Sequence, residues 1–481
     1  MEPRKKLGLF LGPLVFFIIY FSSILKHNPR AHTLLAVFFL TVIWWVTEAI
    51  PIPVTALIVP ILITGLGIAS AKEAFAPFAN PIIILFLGSF ILAKAMRVHQ
   101  LDERFAYSIL SIKSISKSRF QILLAFGIVT ASLSMWLSNT ATTAMMYPIG
   151  LGLLSSYRSK LNEKTFTSMG IIMMLMAAYA SSVGGIGTPI GSPPNLIAIG
   201  MLEKLANYKI TFFQWMVINF TILIPMFFAL FFLLKFRLPK GKIEGFSFKR
   251  IESKLTRPQK NVLIAFSVTV FLWVFPGIVA LISGKEATLY LWLSNHIPEA
   301  TAALIGASLL FLLPVEFRKG KFTLTLNQAL DIDWGTLLLF GGGLSLGFQM
   351  FETGLAEIIG HGFISSFSSR SLSLITLLSI ILGVYLTEVT SNTATANMII
   401  PIIIAVSKAA NINPIPPVLG SAIGASFAFM LPVATPPNAI IYGSGLVPLT
   451  KMMKYGFWLN ILGVIIIWIG IIIIAPTIGI Y

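Results

Sequence analysis

Ser138-Asn139-Thr140-Ala141-Thr142-Thr143-Ala144-Met145-Met146-Tyr147-Pro148-Ile149 returns in the second half of the chain as Ser391-Asn392-Thr393-Ala394-Thr395-Ala396-Asn397-Met398-Ile399-Ile400-Pro401-Ile402. Each copy sits at the middle of a long apolar stretch. Residues 121–157 are 37 positions without a charged side chain, and residues 371–407 are another 37 with Glu388 alone. As one helix rising about 1.5 Å per residue, either would extend about 55 Å, nearly twice the roughly 30 Å of bilayer hydrocarbon. Something must break it, and the polar Ser-Asn-Thr triplet is the place. Irregular backbone at membrane depth survives only inside protein or against a wet cavity. The sequence therefore predicts two re-entrant hairpins, 121–157 and 371–407, with a triplet at each tip.

The surrounding chain supports a bilayer setting. Of 481 residues, 56% are hydrophobic and 11% charged, and the mean hydropathy is +0.90, more apolar than a soluble core requires. Runs long enough to cross are expected near 7–25, 31–50, 52–69, 81–99, 170–205, 213–235, 261–282, 297–314, 334–352, 417–445 and 457–476. The expected fold is thus an all-α polytopic membrane protein with about 11 transmembrane helices plus the two hairpins. The first run follows Arg4, Lys5 and Lys6 but lacks a small-residue cleavage site after it, so it reads as a retained span.

Lys and Arg in short loops favour the cytoplasm. With the N-terminus cytoplasmic and the hairpins counted as no crossing, the cytoplasmic segments are 94–119, 157–169, 235–260, 315–333 and 446–456, which hold the basic clusters. Lys235, Arg237, Lys240, Lys242, Lys249, Arg250, Lys254, Arg257 and Lys260 fill the third, and the uncharged C-terminal tail falls outside. The net charge of +17 therefore reports orientation, and no nucleic-acid partner is expected. The chain has no cysteine, which excludes disulfides, thiolate metal sites and thiol catalysis.

The halves match in order. Residues 80–96 (NPIIILFLGSFILAKAM) resemble 333–350 (DWGTLLLFGGGLSLGFQM), and GTPIGSPPN (187–195) is answered by ATPPN (434–438). We divide the chain into an N-terminal tail and first span (1–30), a first repeat (31–235), a basic cytoplasmic linker (236–260) and a second repeat (261–481). Five crossings per half turn the second copy upside down, an inverted repeat of the kind that puts a substrate site near the bilayer midplane.

Within 170–205, the run Gly184-Gly185-Ile186-Gly187-Thr188-Pro189-Ile190-Gly191-Ser192-Pro193-Pro194-Asn195 cannot stay helical, and neither can Leu431-Pro432-Val433-Ala434-Thr435-Pro436-Pro437-Asn438 within 417–445. A broken helix frees carbonyls at one end and N–H groups at the other, offering cation ligands beside a partly positive anion site. Ser and Thr hydroxyls and Asn amides add neutral oxygens for a hard cation, while Asn NH2 and Thr OH can donate to a carboxylate. A single such break is commonly a kink or a packing device. Four breaks in two matching pairs point to a binding site.

Other chemistries find less support. Gly185-Ile186-Gly187 has the wrong spacing to Gly191 for a dinucleotide fingerprint, and Pro189 interrupts the helix start it would need. The five histidines, at 27, 32, 99, 296 and 361, show no metal-ligand spacing. An enzyme would need a nucleophile, a metal cluster or an acid–base pair near the breaks, and none is evident. Glu48 and Glu388 are the acids placed at membrane depth. Glu48 could instead end a span before Pro51, and Glu388 reads as a brace for the second hairpin rather than a proton carrier.

Over nearly its whole length the chain resembles the divalent anion/sodium symporter family, through both Ser-Asn-Thr motifs, GTPIGSPPN and MLPVATPPNAI (430–440). The resemblance implies a homodimer whose transport domain moves like an elevator against a scaffold; the short compact chain without glycosylated-looking extracellular domains suggests a bacterial inner membrane. The resemblance also implies Na+ as coupling ion, held by Ser134, Ser138, Asn139 and Gly187 at one site and by Thr387, Thr390, Asn392 and Ala434 at the other. Asn139, Thr140, Asn392 and Thr393, with Thr188, Thr435 and Pro436, would hold a small di- or tricarboxylate such as succinate, malate, fumarate or citrate. The alternatives are sodium-independent dicarboxylate exchange, a sulfate or oxyanion carrier, an anion channel and a membrane-embedded enzyme.

Overall fold

Apolar runs bounded by capping residues fold as helices, because a helix satisfies its own backbone where water is absent. The computed structural model describes residues 2–112, 118–156, 158, 162–238, 254–367 and 370–477. Among these the chain is helical apart from loops and one short antiparallel pair, Pro314–Glu316 with Lys321–Phe322. Six helices are long and apolar enough to cross a membrane: Pro29–Thr47, Ala71–Val98, Glu163–Gly185, Phe212–Lys235, Arg257–Ser283 and Leu449–Ile473. Shorter apolar helices stand between them, including Ile52–Gly65 and Glu299–Leu312.

Caps explain where several begin. Asn28 accepts from the Ala31 N–H at 3.2 Å, and Thr211 with Gln214 and Thr256 with Gln259 form reciprocal capping boxes. Glu48 ends Pro29–Thr47 in the left-handed region (φ 51°), half-buried just before Pro51. This is the span-end position that Pro51 suggested.

Each of the four suspect stretches is split. Residues 121–157 form Arg119–Ser134 and Asn139–Ser156, joined by a first turn at 135–138. Residues 371–407 form Leu372–Leu386 and Asn392–Ala409, joined by a second turn at 387–391. The expected crossing 170–205 is Glu163–Gly185 and Pro193–Ala206 about a first break at 186–192. The expected crossing 417–445 is Ile415–Gly424 and Pro436–Gly443 about a second break at 425–435.

The structure differs from the sequence reading elsewhere. Leu101–Leu110 and Thr288–His296 are helices that no apolar run announced, being short and mixed in polarity, and the shorter apolar helix Leu355–Phe367 is not among the expected crossings. The first helix is Pro3–Tyr20 rather than 7–25, and the last begins at Leu449 rather than 457. Most of the basic linker, residues 239–253, lies outside the described residues, and its end already belongs to Arg257–Ser283.

The core wraps the broken helices. Glu163–Gly185 packs against both Arg119–Ser134 and Asn139–Ser156, and Ile415–Gly424 packs against Leu372–Leu386 and Asn392–Ala409. The two systems interlock, since Pro193–Ala206 lies on Asn392–Ala409. Tyr179, fully buried, donates its hydroxyl to the carbonyl of Phe429 at 2.7 Å. A helix of the first half is thereby bonded to the break of the second.

Candidate functional site

Both turns are closed by the same local bond. Ser134 Oγ donates to Asn139 Oδ1 at 2.8 Å across the first. Thr387 Oγ1 lies 2.7 Å from Asn392 Oδ1 across the second, and 2.9 Å from the Ala425 carbonyl. Its single proton serves one of these acceptors at a time. Ser138 accepts from the Ala141 N–H and Ser391 from the Ala394 N–H, both at 3.2 Å, so each triplet begins with a helix cap.

The breaks carry a second shared pattern. Asn195 Nδ2 donates to the carbonyls of Gly185 and Thr188 at 2.8 and 2.9 Å. Asn438 Nδ2 donates to those of Ala428 and Leu431, both at 3.0 Å. The acceptors lie ten and seven residues upstream in each case. Turn and break also touch. Thr188 Oγ1 donates to the Met135 carbonyl, and a Cβ added to Gly185 would come within 2.3 Å of Asn139 Oδ1. Only glycine lets the helix end approach the turn so closely.

Glu388 accepts the backbone N–H of Phe429 at 2.7 Å, of Met430 at 2.9 Å and of Leu431 at 3.2 Å, and Asn460 Nδ2 at 2.7 Å. It is buried, 5% exposed. These N–H groups belong to the second break and have no helical partner, so the carboxylate braces the unwound backbone.

Turns and breaks meet at one cavity of about 690 Å³. Its wall holds the starts of four helices: Ser138 to Ala141, Ser192 and Pro193, Ser391 to Thr393, and Ala434 to Pro437. Each helix start presents the positive end of a peptide dipole; the two at Asn139 and Asn392 also offer backbone N–H groups, whereas the two that open on Pro-Pro lack them there and offer the Ser192 and Thr435 hydroxyls. Ser192 and Ser426, one from each break, are hydrogen-bonded at 2.9 Å. Four positive helix ends around one space, two of them with backbone donors, suit an anion.

Of the residues expected from the sequence, Ser138, Asn139, Thr140, Asn392, Thr393, Ala434, Thr435 and Pro436 line this cavity. Ser134, Gly187, Thr188, Thr387 and Thr390 do not line it and are buried. Ser134 and Thr387 stand behind the asparagines they bond. Thr188 is turned to the Met135 carbonyl, and Thr390 Oγ1 is buried without a partner among the described residues. Sequence reasoning missed Lys94, Arg97, Asp331 and Asp333, which also line the cavity. Lys94 and Arg97 fall one helical turn apart near the end of Pro81–Val98, a spacing that puts them on one face. Lys94 pairs with Asp331. Its hydrogen bond and then its charge hold the Asp331 carboxyl below the usual carboxylate range.

Residues 6–478 match the family described as the sodium:sulfate symporter transmembrane region. The chain is 35% identical to the sodium-dependent dicarboxylate transporter SdcS of Staphylococcus saprophyticus, over 98% of this chain and 91% of the relative. It is 34% identical to an uncharacterized transporter of Haemophilus influenzae, over 97% and 96%. Among solved structures, the Neisseria gonorrhoeae MtrF efflux pump aligns with a TM-score of 0.54 at 13% identity over 96% of this chain and 97% of that one. The Alcanivorax borkumensis YdaH transporter aligns with a TM-score of 0.53 at 11% identity over 87% and 88%. These likenesses extend to the fold.

Proposed function

Because this chain belongs to the sodium:sulfate symporter family of integral membrane transporters, we propose that it imports small di- or tricarboxylates by Na+ symport. The observation that carries this reading is the single cavity walled by four helix starts, two of them Ser-Asn-Thr turns. The similarity to a sodium-dependent dicarboxylate transporter over nearly the whole chain supports the same substrate class.

In this reading the substrate's carboxylates rest on the N–H ends of the two Ser-Asn-Thr helices and on the side chains of Asn139, Thr140, Asn392, Thr393 and Thr435, beside Pro436, with Thr188 held behind them. Each helix end contributes about 0.3–1 kcal/mol to a bound anion. Sodium takes neutral oxygens: Ser134, Ser138, Asn139 and Gly187 on one side, Thr387, Thr390, Asn392 and Ala434 on the other. Such a donor set fits a hard cation and includes no titratable group. Asn139 and Asn392 belong to both lists, so sodium orders the amides that then meet the anion. Binding is therefore cooperative, sodium first. Movement of the turns and breaks together as an elevator, in a homodimer, completes the reading.

Lys94 and Arg97 bring positive charge to the cavity wall and offset Asp331 and Asp333 beside them, so removing Lys94 leaves Asp331 facing an anionic substrate uncompensated. Lys94→Ala is expected to raise the substrate KM about three- to tenfold with little change in maximal rate, an effect that shrinks in high salt. Uptake kinetics at two ionic strengths check this.

Sulfate transport is the second reading, favoured by the family description; helix starts serve any oxyanion. Competition decides between them. Labelled succinate uptake into liposomes holding the purified protein is expected to fall with excess malate, fumarate or citrate and to persist with excess sulfate. Inhibition by sulfate alone, or no succinate uptake beside brisk sulfate uptake, overturns the carboxylate assignment.

A further inference from the structure

Asn195 and Asn438 are fully buried, and each spends its amide the same way. Both hydrogens of the NH2 go to carbonyls at or just before the break upstream, while Oδ1 is buried without a partner among the described residues. Buried Asn219, Asn397 and Asn460 leave Oδ1 unpartnered among the described residues as well, but each donates one bond there where Asn195 and Asn438 donate two. Here the two donors are what the position uses. Among short side chains only an amide offers two donors from one atom: Asp has none, and Ser has one.

What these bonds leave over is informative. In the first break Gly185 and Thr188 give their carbonyls to Asn195, and Ile186 gives its carbonyl to Trp215 Nε1 at 2.9 Å. Among the described residues no hydrogen bond reaches the Gly187 carbonyl between them. In the second break Ala428 and Leu431 are taken by Asn438, and Phe429 by Tyr179. The Ala434 carbonyl is likewise left without a donor among the described residues. The carbonyls of Pro189 to Gly191, Pro432 and Val433 also have no donor among the described residues; what marks Gly187 is that the carbonyls on both sides of it are committed, and what marks Ala434 is that its own N–H is bonded to the Leu431 carbonyl that Asn438 holds.

We propose that Asn195 and Asn438 are positioning residues that pin the two breaks so that the carbonyls of Gly187 and Ala434 stay available to sodium. The proposal rests on the sodium-symport reading and adds to it the device that shapes each ion site. Neither amide touches the ion or the substrate. Each acts by fixing the carbonyls on either side of, or ahead of, the ligand, so losing it costs the ion site its preorganisation. Being neutral, the device works equally at any pH the protein tolerates.

The test reads sodium binding through thermal unfolding of the purified full-length protein, titrating sodium chloride against choline chloride at constant ionic strength. In the wild type, sodium is expected to raise the melting temperature. In Asn195→Ala and Asn438→Ala the sodium concentration giving half of this rise should increase about tenfold or more, since two hydrogen bonds to the break are lost. Asn195→Ser and Asn438→Ser, which keep one donor, should fall between; they decide the matter if the alanine variants do not fold. Asn261 supplies a control, because its buried amide also donates to acceptors away from the breaks, Thr323 Oγ1 and the carbonyls of Pro314 and Leu313. Asn261→Ala should lower the melting temperature in choline and leave the sodium midpoint unchanged.

If the Asn195 and Asn438 variants behave like Asn261→Ala, with a sodium midpoint within twofold of a sodium-responsive wild type, the proposal is overturned and the symport reading stands. A wild type indifferent to sodium overturns that reading, and the proposal with it.

Discussion

Asn139→Ala and Asn392→Ala are each expected to lower sodium-driven uptake at least about a hundredfold, a loss of roughly 2.7 kcal/mol at the rate-determining barrier. Three consequences add at each site. The amide that meets the substrate is gone, a neutral oxygen ligand for sodium is gone, and the bond closing the turn is gone with it. The last leaves buried Ser134 without its acceptor, and an unsatisfied buried polar group costs about 1–3 kcal/mol, whereas Thr387 keeps the Ala425 carbonyl and loses only the closure of the turn. The helices on either side of the turn keep their own backbone bonds, so the variants should remain monodisperse on size exclusion. Initial uptake rates in proteoliposomes provide the check. Retained uptake in one variant removes that turn from the site, and retention in both removes the site.

Glu388→Ala is expected to act on stability first. It strands three backbone N–H groups and the Asn460 amide in a buried place, and breaking a buried charged network by removing one partner typically costs about 3–5 kcal/mol. A large fall in melting temperature with loss of uptake should follow. Glu388→Gln keeps the shape and one accepting oxygen, so both properties should lie between. The Gln variant also separates bracing from proton carriage: uptake abolished at an unchanged melting temperature would contradict the brace.

How much of this was legible beforehand differs by feature. The turns and breaks were readable because Pro, Gly and a polar triplet stand out against apolar runs, and because each occurs twice. The Ser134–Asn139 and Thr387–Asn392 bonds span only five residues, so local sequence held both partners. Glu388 could be read as a brace, but its partners at 429–431 and 460 lie over forty residues away and are set by packing. Asn195 and Asn438 stood in plain view in the two Pro-Pro-Asn motifs. Their shared spacing to the breaks was the unused signal. Lys94 and Arg97 were taken as loop-flanking charges, since nothing in the sequence brings Pro81–Val98 to the cavity. Short helices such as Leu101–Leu110 and Thr288–His296 escaped for a simpler reason: each mixes polar and apolar residues over a length too short for periodicity to register.

The central claim, that sodium and a carboxylate share the paired turns, meets its most direct test in liposomes holding the purified protein. Labelled succinate uptake is compared under an inward sodium gradient and an equal inward potassium gradient. The account predicts accumulation above equilibrium with sodium and only background with potassium. Equal uptake under the two gradients would contradict it.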